Sequence, residues 1–124
     1  MAEYTVLIVE DEPDMQRAIK LRLESIGFKV ETASDGLEGL QKIKKLEPDL
    51  VLLDIMLPKM DGFKVCNMIK FDKKYKNIPI IMLSAKSAQK DFYTAKNVGA
   101  DAYLTKPFTT AELLKKIKEM LIHE

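Results

Sequence analysis

Three runs of four consecutive apolar residues, Val6-Leu7-Ile8-Val9, Leu50-Val51-Leu52-Leu53 and Ile80-Ile81-Met82-Leu83, restrict what this chain can fold into more than any other feature. A strand is apolar at every position only when both of its faces are covered, the condition of a central strand in a parallel sheet. The segments between these runs carry helical spacing instead. After Pro13, suited to a first helical turn, Met15, Ile19, Leu23 and Ile26 recur at steps of four, four and three until Gly27 closes the stripe. Further helices are expected from about Asp35 to Leu46, with Leu37, Leu40 and Ile43 inward, and around Val65, Cys66 and Ile69. Two more are expected from about Ser87 to Val98 and from about Thr110 to Ile122. The full strands read Tyr4 to Val9, Leu50 to Leu53 and, after a polar stretch from Lys70 to Asn77, Ile78 to Leu83. Phe28 to Ala33 and Asp101 to Thr105 mix polar with apolar residues, which suits sheet edges. Strict alternation with right-handed crossovers predicts an α/β fold, a five-stranded parallel sheet of order 2-1-3-4-5 with five helices on both faces.

Composition removes several function classes. With 124 residues, 47% of them hydrophobic, the chain has the material for one core. The single cysteine, Cys66, cannot form an internal disulfide, and its place on an apolar helix face predicts an inert buried thiol. Lys plus Arg number 20 against 19 for Asp plus Glu, so no global field argues for nucleic acid. The lysines between Lys70 and Lys76 read as a solvated connection, and His123 as a solvated terminal residue. No apolar run approaches the roughly 20 residues of a membrane span. Met1-Ala2-Glu3 opens into the first strand without a basic-then-apolar leader, so the expected location is cytoplasmic.

The chemistry lies where the strands end. Glu10 and Asp11 follow the first strand, Asp54 the third, Ser84 the fourth and Lys106 the fifth. In this strand order the ligand site lies beyond the carboxyl ends, at the switch between strands 1 and 3. A strand-terminal acid alone is often only the cap of the next helix. Three converging acids instead repel, so either they take up protons or a divalent cation neutralises them, and a hard ion such as Mg²⁺, bound through carboxylates and a phosphate oxygen, is the natural candidate. Lys106 and Ser84 then suit a phosphoryl group, one as a compact positive charge and the other as a hydroxyl donor.

Four segments, Leu7 to Glu12 (LIVEDE), Pro48 to Gly62 (PDLVLLDIMLPKMDG), Ile80 to Ala85 (IIMLSA) and Gly99 to Phe108 (GADAYLTKPF), resemble the receiver domains of two-component response regulators. The resemblance runs from about Thr5 to Leu121 and implies a flavodoxin-like receiver domain over residues 1–124. It implies that Asp54 accepts a phosphoryl group from a sensor histidine kinase or phosphotransfer protein. Glu10, Asp11, Asp54 and the Met56 backbone carbonyl would hold Mg²⁺ (or Mn²⁺), and Ser84 and Lys106 would bind the phosphoryl group. Ser84 and Tyr103 would form the switch. Glu10 stands where Asp is frequent and Ser84 where Thr is frequent, both being working forms. The domain would be a signalling phosphoacceptor with self-phosphorylation and autodephosphorylation chemistry, not an enzyme acting on a separate substrate.

In resembling receivers the phosphodonor docks beside the acceptor on helix 1 and the loop after strand 5, which here points to Met15, Ala18, Arg22, Pro107 and Phe108. The signal would leave through helix 4, strand 5 and helix 5, a face carrying Lys90, Asp91, Lys96, Asp101, Glu112, Lys115 and Lys116. Opposite charges there can pair across a two-fold axis, so a phosphorylation-dependent homodimer stands beside a partner protein, a fused effector domain or a merely solvated face. Neither direct nucleic-acid binding nor a membrane role is expected of this domain. The end at Glu124 reads literally as a single-domain regulator, and a receiver cut from a longer one reads the same. A haloacid-type Mg²⁺-dependent phosphatase would need a second Asp two residues after Asp54, where Met56 stands. A flavodoxin-like cofactor binder would need a hydroxyl- or glycine-rich phosphate loop where Glu10-Asp11-Glu12 stands.

Overall fold

The structure is a computed structural model that describes residues 3–84 and 89–121, apart from the side chains of Gln89, Lys90 and Phe92. Strands β1 (Thr5–Val9), β2 (Lys29–Ala33), β3 (Leu50–Asp54), β4 (Ile80–Ser84) and β5 (Ala102–Thr105) alternate with helices α1 (Pro13–Ile26), α2 (Gly36–Leu46), α3 (Gly62–Lys70), α4 (Gln89–Asn97) and α5 (Thr110–Leu121). All strand pairs are parallel and the order is β2-β1-β3-β4-β5. The expected sheet is therefore the observed one. Ala85, the expected start of helix 4 at Ser87, Ile122 and His123 lie outside the described residues.

The three apolar runs occupy the sheet centre and feed two cores. Because side chains alternate across a strand, Leu7, Val9, Val51, Leu53, Ile80 and Met82 pack under α2, α3 and the Ala95 turn of α4. Val6, Ile8, Leu50, Leu52, Ile81 and Leu83 meet Ile19 and Leu23 of α1 and Leu113 and Ile117 of α5. Cys66 is fully buried in the first core, and burial pushes its thiol up to about 12, in keeping with an inert thiol.

Local chemistry sets the ends of the helices. Glu12 accepts from the Met15 amide (2.6 Å) and Pro13 occupies the first helical position, so α1 starts there. Gly27, at φ 115°, ends it. Asp35 and Asp61 cap α2 and α3 in the same way. Thr109 and Glu112 exchange side-chain-to-amide bonds of 2.8 and 3.0 Å, a capping box for α5.

Three expectations change. Ile26 and Leu37 are 45% and 40% exposed, because each lies in a terminal turn that has already rotated off the sheet. The fourth strand begins at Ile80 because Pro79 has no amide to give to a ladder and the Ile78 amide is used in a turn onto Tyr75. Lys70 is no part of a solvated run. Its side chain is 8% exposed, pairs with Asp101 at 2.5 Å and donates to the carbonyls of Lys76 (3.0 Å) and Ile78 (2.7 Å).

Asp101 in turn accepts from the Ile80 amide at 2.8 Å, so this pair fastens α3 and the start of β4 to the start of β5. Asp101→Ala leaves the lysine charge and the Ile80 amide short of an acceptor. It should lower the unfolding free energy by about 1–3 kcal/mol, with a smaller loss for Asp101→Asn, measured by urea denaturation at unchanged m-value.

Candidate functional site

The strand register builds the site. Val9 lies beside Leu53, so Glu10 and Asp54 leave neighbouring strands side by side, and Ser84 lies beside Thr105, one residue before Lys106. The Lys106 amide donates to the Ser84 carbonyl at 2.6 Å, extending the β4–β5 pairing by one step. Counted as whole residues, Glu10, Asp54 and Ser84 are the buried polar or charged ones among the described residues. The sheet therefore concentrates its buried polarity at one end.

Glu10, Asp11 and Asp54 each bring a carboxylate oxygen within 4.8 Å of the others. Capping of α1 falls to Glu12, which leaves the two acids before it for other work. Glu10 is held by the Glu12 amide on Oε2 (3.1 Å) and by Lys106 Nζ on Oε1 (2.8 Å). Gln16, a residue the sequence did not flag, donates its side-chain amide to the carbonyls of Glu10 (2.8 Å) and Ala33 (3.1 Å), clamping the loop after β1 against the end of β2. Asp11 is exposed and makes no hydrogen bond or ion pair among the described residues.

Asp54 Oδ1 accepts from the Ile55 amide (2.9 Å) and lies 3.4 Å from Lys106 Nζ, while Oδ2 has no hydrogen-bond partner among the described residues. Burial first, and then the Glu10 charge, push the Asp54 carboxyl up to about 6, with Lys106 offsetting only part of this. Burial works against the charge of Lys106 as well, but the Glu10 hydrogen bond and the Asp54 charge outweigh it and hold the ammonium above its usual range. Three acids face one ammonium. A donor set of carboxylate oxygens with this surplus of negative charge fits a hard divalent cation.

The remaining expected residues lie in three places. Met15, Ala18, Arg22 and Phe108 line one pocket of about 160 Å³ between α1 and α5, together with Ile19, Thr110 and Leu113, and Arg22 donates to the Thr110 hydroxyl. Pro107 is exposed beside it and follows Lys106 through a cis peptide bond. Tyr103 is half-buried against the core under α4 and lines a pocket of about 240 Å³ with Ala95, Lys96 and Asp101. The Met56 side chain is 78% exposed in the loop after β3. Gly62 closes that loop, since its amide donates to Ile55 at 2.7 Å and a Cβ there would stand 2.1 Å from the Asp54 carbonyl.

A doubly wound sheet with an acidic trio and a lysine at its switch point, and a serine at the end of the next strand, has the makings of a Mg²⁺-dependent phosphorylation site. The sequence profile of the response regulator receiver domain matches residues 6–118, and the chain belongs to that family. It is 40% identical over 116 residues to the DNA-binding dual master transcriptional regulator RpaA of Synechocystis sp., covering 94% of this chain and 48% of that protein. The chain thus spans about half the length of such regulators. A response regulator from Chloroflexus aurantiacus superposes at a TM-score of 0.94, with 34% identity over 98% of this chain and 100% of the other. The receiver domain of the sensor histidine kinase PA1611 from Pseudomonas aeruginosa PAO1, solved with a magnesium ion coordinated in its active site cleft, superposes at 0.89, with 32% identity over 97% and 98%. The haloacid-type phosphatase alternative has no support among these relatives. Among the described residues no helix is long and apolar enough to cross a membrane.

The raised Asp54 carboxyl makes stability depend on pH in a defined direction. Its folded value of about 6 lies above the roughly 4 of an unfolded aspartate, so ionisation costs more in the folded chain. The metal-free protein keeps this part of its stability below about pH 4 and loses it as pH rises through about 6. Asp54→Asn should therefore stabilise the chelator-treated protein at pH 7.5 by about 1–2 kcal/mol, allowing for solvent screening, with the gain vanishing toward pH 4 in thermal melts.

Proposed function

We infer that residues 1–124 form one receiver domain in which Asp54 is the phosphoacceptor, taking its phosphoryl group from a sensor histidine kinase or phosphotransfer protein. The observation that carries this reading is the juxtaposition of Asp54 with Glu10, Asp11 and Lys106 at the carboxyl end of the sheet. Asp54 Oδ2 is the attacking atom, since Oδ1 is engaged by the Ile55 amide and Lys106. The new O–P bond forms as the donor's bond to phosphorus breaks. Glu10, Asp11, Asp54 and the Met56 carbonyl would hold Mg²⁺ (or Mn²⁺), which when bound supplies positive charge for the acids and the incoming phosphoryl oxygens. Lys106 supplies the fixed cation on the other side, and Ser84 offers its hydroxyl to a phosphoryl oxygen. Self-phosphorylation from small donors and autodephosphorylation belong to the same chemistry, and a cytoplasmic location to the same reading.

Acetyl phosphate should label Asp54 alone, and only with a divalent cation. Asp54→Asn should abolish the label in mass spectrometry, and a label surviving that change or chelation would refute the assignment.

The α1–α5 pocket, with Pro107 beside it, is the proposed docking surface for the phosphodonor, and the Arg22–Thr110 bond fixes the position of its one charged group. Replacing Ala18 and Arg22 together should lower transfer from a cognate kinase by at least about tenfold while acetyl phosphate labelling stays within about twofold, as expected of contacts used only for docking. Parallel loss of both would assign these residues to folding.

The α4–β5–α5 face is the proposed output surface toward a partner protein or a fused effector domain, with Ser84 and Tyr103 as the switch. Its three acids already have partners within the chain, Asp91 on Ser84, Asp101 on Lys70 and Glu112 on the Thr109 amide. Each carboxylate has a second oxygen to offer, so a phosphorylation-dependent homodimer through this face can form with these contacts kept or exchanged.

A further inference from the structure

Ser84 is 2% exposed, and its hydroxyl donates to Asp91 Oδ2 at 3.1 Å. Asp91 sits in the first turn of α4 and belongs neither to the acidic trio nor to the Lys106 ion pair. A serine hydroxyl has one proton to donate. While that proton is directed at Asp91 it cannot be directed at a phosphoryl oxygen on Asp54, so the two hydrogen bonds exclude each other. The acceptor is a carboxylate in a partly buried setting, which strengthens the bond that has to break.

We propose that Asp91 is a positioning residue that holds the Ser84 hydroxyl in the unphosphorylated arrangement, so that phosphoryl binding at Asp54 works against the Ser84–Asp91 hydrogen bond. The proposal rests on the reading of Ser84 as a phosphoryl ligand. A ligand shifts a conformational equilibrium only by its differential affinity for the two states, and the hydrogen bond to Asp91 lowers that differential. Its rupture also frees a carboxylate on α4, a helix of the proposed output face, which links the bond made at Asp54 to the availability of one negative charge there.

Calorimetric titration of the full chain with beryllofluoride in saturating Mg²⁺ tests this. Asp91→Ala should bind the phosphoryl mimic about three- to tenfold more tightly than the unaltered protein. Asp91→Asn, which keeps an acceptor oxygen but no charge, should stay within about twofold. In a Ser84→Ala background Asp91→Ala should have no effect, and Mg²⁺ affinity without beryllofluoride should be the same with and without Asp91→Ala. Equal tightening by Asp91→Ala and Asp91→Asn, or tightening that persists in Ser84→Ala, would assign the effect to charge and overturn the proposal. Unchanged affinity in Asp91→Ala would overturn it while leaving Asp54 as phosphoacceptor, whereas no binding by the unaltered protein would overturn both. A measurement free of substitutions is the carbon chemical shift of the Asp91 carboxyl, which should move on beryllofluoride saturation; a shift that stays put also overturns the proposal.

Discussion

Two carboxylates about 4 Å apart in a medium of effective dielectric 20 repel by roughly 4 kcal/mol, several times the net worth of an ordinary hydrogen bond. Glu10 and Asp54 are forced into this relation by the β1–β3 register, with a core beneath them that offers no polar relief. The rest of that end of the molecule is arranged around the repulsion. Lys106 reaches both acids, and Glu12, rather than Glu10 or Asp11, caps α1. Asp54 still keeps its proton to about pH 6. The site is thus short of positive charge, which is the condition for responding to a metal ion and a phosphoryl donor.

The strands were legible because a residue covered on both faces admits no polar exception, and the three apolar runs contain none. The acidic trio was legible because strand ends in a doubly wound sheet converge on the switch point. Helical periodicity says which side a residue lies on but not whether the helix end still touches the sheet, which is why Ile26 and Leu37 read as core and stand in solvent. Burial of a long polar side chain is harder to foresee. Lys70 looks like its neighbours Lys73 and Lys74, and only the return of β5 beside β4 brings Asp101 to it. Gln16, and the contact of Asp91 with Ser84, were illegible for the same reason, since each is defined by a partner on another element.

This division separates the site from its wiring. The groups that face the chemistry are few and sit on strand ends, where the sheet holds them rigidly. The groups proposed to connect the site to the surface, Ser84, Asp91 and Tyr103, lie toward α4 and the edge strand β5, none of whose residues is fully buried. A loosely covered edge changes arrangement at smaller cost than a strand covered on both faces. Rigidity at β1 and β3 and latitude at β5 are therefore complementary features of one sheet.

Lys106 stands 96 residues after Glu10 along the chain. During synthesis β1 and β3 emerge long before it, so a growing chain that has already paired Val9 with Leu53 sets Glu10 against Asp54 with no ammonium between them. Until the segment carrying Lys106 has left the ribosome, the pair is eased by the proton that burial and Glu10 favour on Asp54. A divalent cation held between the same oxygens would ease the pair in the same way.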